Sequence, residues 1–239
     1  YIIFLLSVSA LVNFVPMPFF CKTISISFSF PGENQVIIMS DKNISNQSLT
    51  IAEPAALGLL GLAVAALVLG AADLGLTTGK VPVLKSLMIP WILMFGATSQ
   101  LIACLMEFKR NNIFGATVFG TYSMTMYAIA LTLFISIFGG QQVDLYHYGY
   151  GLIAILLFSL IATVASLMTN KALFSILIAV DLAVIALIPH YLVGTSPFIA
   201  GIFLILTSAL SFYTAAAILL NTMAKKTVLP LGNAIWKIK

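Results

Sequence analysis

The residues best placed to do chemistry are few and stand in apolar surroundings. Asp181 lies ten positions after Lys171, flanked by Ala179, Val180, Leu182 and Ala183. An ionisable group inside such a run is expensive in a membrane and marks a candidate functional site, with a proton carrier as its sharpest role. The competing role is a protonated or hydrogen-bonded residue that packs helices together. Gln100 is a second polar group inside an apolar stretch, and it must find a partner. Tyr122 sits among Thr117, Thr121, Ser123 and Tyr127. Ser and Thr commonly bond their own helix backbone, but a tyrosine ring with a polar tip can both narrow a pore and offer a hydrogen bond. Glu107 stands beside Lys109 and Arg110, where ion pairing would hold a turn. Asp73 falls near the end of an apolar run, within reach of water. His147 and His190 are expected in loops, with no neighbours at ligand spacing, so no metal site is expected.

Composition decides the class. Of 239 residues, 61% are hydrophobic and 8% charged, far below the roughly 25% charge of a soluble domain. Mean hydropathy is +1.12. The chain therefore reads as an all-α integral membrane protein. Cys21 and Cys104 form no disulfide framework, and Cys104 reads as an inert buried thiol. The sequence contains no HExxH, Walker A loop, dinucleotide glycine pattern or nucleophile elbow. An enzyme, a cofactor and a nucleic-acid partner are accordingly not expected.

The elements that must position these groups are apolar runs, each long enough for the roughly 20 helical residues that cross a bilayer. They are placed near residues 55–76, 84–106, 113–138, 150–168, 172–188 and 198–220. Turn-like breaks separate them: Thr77 to Lys80, Lys109 to Asn112, Gly139 to Gln142, Thr169 to Lys171, and Pro189 to Pro197. No alternating strand pattern runs through them, so the fold expected is a six-transmembrane-helix bundle. The first run opens at Glu53-Pro54-Ala55-Ala56-Leu57-Gly58-Leu59, with Pro54 as the first helical residue. Backbone N–H groups left free at such an end can hold a small anion.

Residues 1–38 read as an apolar upstream segment without a basic n-region, with Met39 the expected initiator. Residues 39–52 form a polar cytoplasmic N-terminus, 53–222 the membrane domain, and 223–239 a basic cytoplasmic tail. Lys42, Lys109, Arg110, Lys171, Lys225, Lys226, Lys237 and Lys239 fall on one side, and only Lys80 and Lys85 on the other. This positive-inside bias puts both termini in the cytoplasm and accounts for the net charge of +4.

Three stretches then resemble the acetate uptake transporter family of succinate–acetate/proton symporters. Glu53 to Leu59 is similar to its Asn-Pro-Ala-Pro-Leu-Gly-Leu signature. Gln100 through Glu107-Phe108-Lys109-Arg110-Asn111-Asn112-Ile113-Phe114-Gly115, on to Phe119 and Thr121-Tyr122, resembles the segment joining its second and third helices. Lys226-Thr227-Val228-Leu229-Pro230-Leu231-Gly232 is similar to its C-terminal tail.

The resemblance implies a homohexamer in the plasma membrane that carries acetate and related short monocarboxylates, as a proton symporter or an anion channel, through a separate path in each protomer. It places Leu62, Tyr122 and Val180 at an apolar constriction. Pro54, Ala55 and Leu57 would line the cytoplasmic approach, with Gln100 and Thr121 along the path. Glu53, Gly58, Glu107 and Asn112 stand as structural or gating residues. Two departures bear on substrate: Glu53 replaces an Asn, and Asp181 stands where a hydroxyl is usual. Both would suit a cation better than an anion, which keeps an ammonium or ammonia channel as an alternative. A membrane scaffold or sensor without flux is the other, because the small-residue faces of the first run also fit helix packing alone.

Overall fold

The computed structural model describes residues 51–76, 87–139 and 144–236. Expectations for residues 1–38, for Lys42 and for the 77–86 connection lie outside the described residues.

Among the described residues, six helices are long and apolar enough to cross a membrane. They are α1 (Ala55–Asp73), α2 (Met88–Lys109), α3 (Ile113–Phe138), α4 (Tyr146–Ser166), α5 (Lys171–Val193) and α6 (Phe198–Ala224). The described residues contain no strand. Only a helix satisfies every backbone group inside one segment, so uncharged runs of this length have no alternative in lipid.

Sequential packing closes these helices into a ring. α1 packs on α2 and, most extensively, on α6; α2 packs on α3; α4, α5 and α6 follow in turn. The α3–α4 seam is the thinnest. Hydroxyls fasten the ring where small residues bring backbones close. Ser208 on α6 donates to the Ala63 carbonyl on α1 at 2.7 Å, and Ser123 on α3 to the Ala97 carbonyl on α2 at 2.8 Å.

Local sequence sets the turns. Asn112 caps α3 by accepting from the Gly115 N–H at 3.2 Å, and Asn170 caps α5 by accepting from the Leu173 N–H at 2.9 Å. Asn111 takes the left-handed φ of +56° that the α2–α3 turn requires. The last residues fold back on the bundle. Asn221 holds this tail by donating to the Leu229 carbonyl at 2.8 Å and accepting from the Val228 and Leu229 N–H groups. The Ala172 N–H donates to the Leu231 carbonyl at 3.0 Å.

Three expectations need correction, and one feature was not foreseen. Pro54 is the cap of α1, one position before the first helical residue. α4 begins at Tyr146 rather than Tyr150, so His147 lies in its first turn, exposed and 3.3 Å from Asp144. Pro189 is inside α5 and does not end it; the helix stops at Gly194, which takes a φ of +80°. His190 is therefore helical, and its Nδ1 lies 2.6 Å from the Thr195 carbonyl. Finally, Ile92–Ser99 within α2 is a π-helical segment, which nothing in the sequence announced. There Thr98 Oγ1 donates to the Leu93 carbonyl five residues back, at 2.8 Å.

Candidate functional site

Two cavities occupy the ring. One, of about 400 Å³, reaches the end of the bundle that holds Arg110 and the α4–α5 turn. Glu53, Gln100, Glu107, Asn112, Phe119 and Leu231 are among its lining residues. The other, of about 380 Å³, reaches the opposite end, where Asp73, Tyr148, His190 and Tyr191 line it. Among the described residues, only Leu62 and Tyr122 line both. Val180 borders the second cavity beside them, while Ile176 and Leu177, a turn earlier on α5, border the first. Leu62, Tyr122 and Val180, contributed by α1, α3 and α5, thus border the region between the two cavities.

Tyr122 is held there from two sides. Its ring packs edge-on against Phe158, with centroids 5.9 Å apart. Its hydroxyl lies 2.7 Å from Ser159 Oγ across the thin α3–α4 seam. Ser159 in turn donates to Asp181 Oδ1, and Thr163 Oγ1 donates to Asp181 Oδ2 at 2.7 Å. All four residues are buried. With Asp181 ionised, Ser159 gives its one proton to the carboxylate and Tyr122 donates to Ser159. The constriction is thereby wired to an acid that is not among the residues lining either cavity.

At the Arg110 end the charges are paired. Arg110 lies 2.7 Å from Glu53 and 3.8 Å from the buried Glu107. The Glu53 hydrogen bond raises the pKa of Arg110 further, keeping the guanidinium charged. Asn112 donates to Glu107 Oε2 at 2.9 Å, leaving Oε1 with no hydrogen-bonding partner. Gln100, 1% exposed, has a partner for neither of its amide atoms.

Of the sequence-predicted path residues, Ala55, Leu62, Gln100, Tyr122 and Val180 line the two cavities, as do Glu53, Glu107 and Asn112. Pro54, Leu57 and Thr121 do not. Pro54 is buried, Leu57 is 42% exposed on the outer face of α1, and Thr121 borders a separate crevice between α3 and α4. Gly58 is a packing residue: a Cβ there would lie 2.7 Å from Phe119 Cδ1 and 2.9 Å from Ala103 Cβ. Tyr148 and Tyr191 pack edge-on with ring centroids 4.4 Å apart and line the Asp73-end cavity. Ser159 and Thr163 were missed; only their hydroxyls in an apolar run hinted at them. Among the described residues no group of His, Cys, Asp and Glu could hold a metal.

Two chambers that share Leu62 and Tyr122 as lining residues, inside a ring of membrane-length helices, fit a multi-pass membrane protein of the small-solute transporter class. The chain belongs to the GPR1/FUN34/yaaH family, which it matches over residues 39–233. It is 26% identical over 195 residues to the succinate-acetate/proton symporter SatP of Escherichia coli K12, covering 77% of this chain and 97% of that one. It is 24% identical over 209 residues to an uncharacterized protein of Methanothermobacter thermautotrophicus, covering 81% and 94% respectively. Among solved structures, the fold resembles that of the bacterial acetate channel SatP, with a TM-score of 0.70 and 24% identity over 76% of this chain and 99% of that one.

Proposed function

We propose that this protein carries acetate and related short monocarboxylates across a membrane through the path inside each protomer. The observation that carries this reading is the waist shared by two cavities at Leu62 and Tyr122, in a chain of this family. Apolar walls accept a methyl or short alkyl group, while polar groups at the Arg110 end replace part of the hydration of the carboxyl. The functions of these relatives, succinate-acetate/proton symport and an acetate channel, support the same solute class. In this reading the protein is a transporter and not an enzyme. It sits in the plasma membrane as a homohexamer with both termini cytoplasmic, so that the Arg110 end faces the cytosol.

Asp181 is the proposed proton carrier. The Tyr122–Ser159–Asp181 chain gives the waist a hydrogen-bonded route to a carboxyl group, and a proton bound there would change what Tyr122 can donate to. Support for a no-flux scaffold is weaker, because a bundle serving packing alone has no use for two chambers that meet.

A second reading has a specific observation behind it. Glu53 and Glu107 line one cavity and Asp73 the other, and no Lys or Arg lines either among the described residues. That balance favours an ammonium-type cation. Parallel uptake of labelled acetate and labelled methylammonium into proteoliposomes separates the two. Saturable acetate uptake that methylammonium does not inhibit supports the first reading, and the reverse pattern supports the second.

A further inference from the structure

The carboxyl group of a carried solute has two forms, and the cavity at the Arg110 end discriminates between them. Its described lining holds two carboxylates, Glu53 and Glu107, and no Lys, Arg or His. The nearby guanidinium of Arg110 is engaged by Glu53 at 2.7 Å. An entering anion would exchange its hydration for apolar walls such as Leu59, Leu62 and Phe119 and would face the buried Glu107. Burying an unpaired charge in that way is far costlier than burying a neutral acid.

The free polar atoms point the same way. Asn112 is occupied by Glu107 and the Gly115 N–H, the Asn170 side-chain oxygen caps α5, and Asn221 holds the tail. Two side chains of the lining keep unpartnered buried atoms: Glu107 one acceptor, Oε1, and Gln100 a donor and an acceptor side by side. A carboxylate could receive from Nε2 but has no proton for Oε1. An ammonium ion could donate to Oε1 but offers Nε2 nothing to donate to. A protonated carboxylic acid offers both at once, O–H to Oε1 and C=O to Nε2, and closes a cyclic pair of hydrogen bonds.

Building on the transport reading above, we propose that Gln100 is the binding residue of this cavity. It takes the neutral, protonated form of a short carboxylic acid as a cyclic amide–acid pair and presents that species to the Leu62–Tyr122 waist.

Acetamide, which carries the same donor–acceptor pair without a titrating group, is the probe. Labelled acetate uptake is measured in proteoliposomes holding the full chain, with protein-free vesicles subtracted, in the presence and absence of excess acetamide. Acetamide is expected to lower wild-type uptake several-fold. Gln100→Leu, which removes both hydrogen bonds, is expected to lower protein-dependent uptake about tenfold or more and to lose acetamide sensitivity. Wild-type uptake indifferent to acetamide overturns the proposal without recourse to any variant, as does a Gln100→Leu protein working at the wild-type rate. Absence of any acetate uptake by the wild type is a different failure. It overturns the transport reading itself, and this proposal with it.

Discussion

Tyr122 and Asp181 are joined through a single hydroxyl: Ser159 Oγ lies 2.7 Å from the tyrosine OH and donates to the aspartate Oδ1. The residues come from α3, α4 and α5, so the link closes the seam where α3 and α4 otherwise touch least. It also ties Tyr122, which lines both cavities, to a buried acid that lines neither. Two predictions follow from separating these roles.

Asp181→Asn keeps a side chain of the same shape that still accepts hydrogen bonds, but it cannot exchange a proton. Accumulation of labelled acetate driven by an inward proton gradient should disappear, while downhill exchange continues. Ser159→Ala, which cuts the link to Tyr122, should give the same pattern. Retained accumulation in Asp181→Asn would remove the aspartate from coupling and leave it a packing residue.

Tyr122→Phe keeps the ring and loses only the hydroxyl, so the limit on solute size should stay as in the wild type. Tyr122→Ala opens the waist and should admit longer or branched monocarboxylates that the wild type excludes. Comparing uptake of acetate with that of a bulkier acid such as benzoate reads this directly. Equal exclusion by both variants would place the size filter elsewhere.

Much of this arrangement was legible in the sequence. The helices were visible because uncharged runs of membrane length have only one fold in lipid. Tyr122 stood out because its polar tip lies in the middle of such a run. The partners of Asp181 were hidden: Ser159 and Thr163 lie 22 and 18 residues away, and a hydroxyl in an apolar helix usually bonds its own backbone. Pro189 misled for a related reason. Proline removes one backbone donor, but in a membrane bundle the carbonyl freed a turn earlier can be satisfied locally, so α5 runs on to Val193. The isolation of Gln100 became visible only once the hydrogen bonds of Asn112, Asn170 and Asn221 had been placed.

Asn112 serves two elements at once, capping α3 and donating to the buried Glu107. Asn112→Ala should therefore cost more than an ordinary cap, about 1–3 kcal/mol, because Glu107 loses its donor as well. A lowered unfolding temperature in detergent checks this. An unchanged value would mean that the α2–α3 turn is held by the Glu53–Arg110 pair instead.

Gly58 lies under the Phe119 ring. Gly58→Val should force that ring toward the Arg110-end cavity, which Phe119 lines, at a cost of about 1–3 kcal/mol for overpacking. Both the unfolding temperature and acetate uptake should fall. A fall in stability alone would show that the ring has another way to move.

The most direct test of the central claim is uptake of labelled acetate by the purified, reconstituted protein, with and without an inward proton gradient. The account predicts protein-dependent uptake that the gradient drives above equilibrium and that a protonophore returns to equilibrium. Intact protein that carries no acetate under either condition would contradict it.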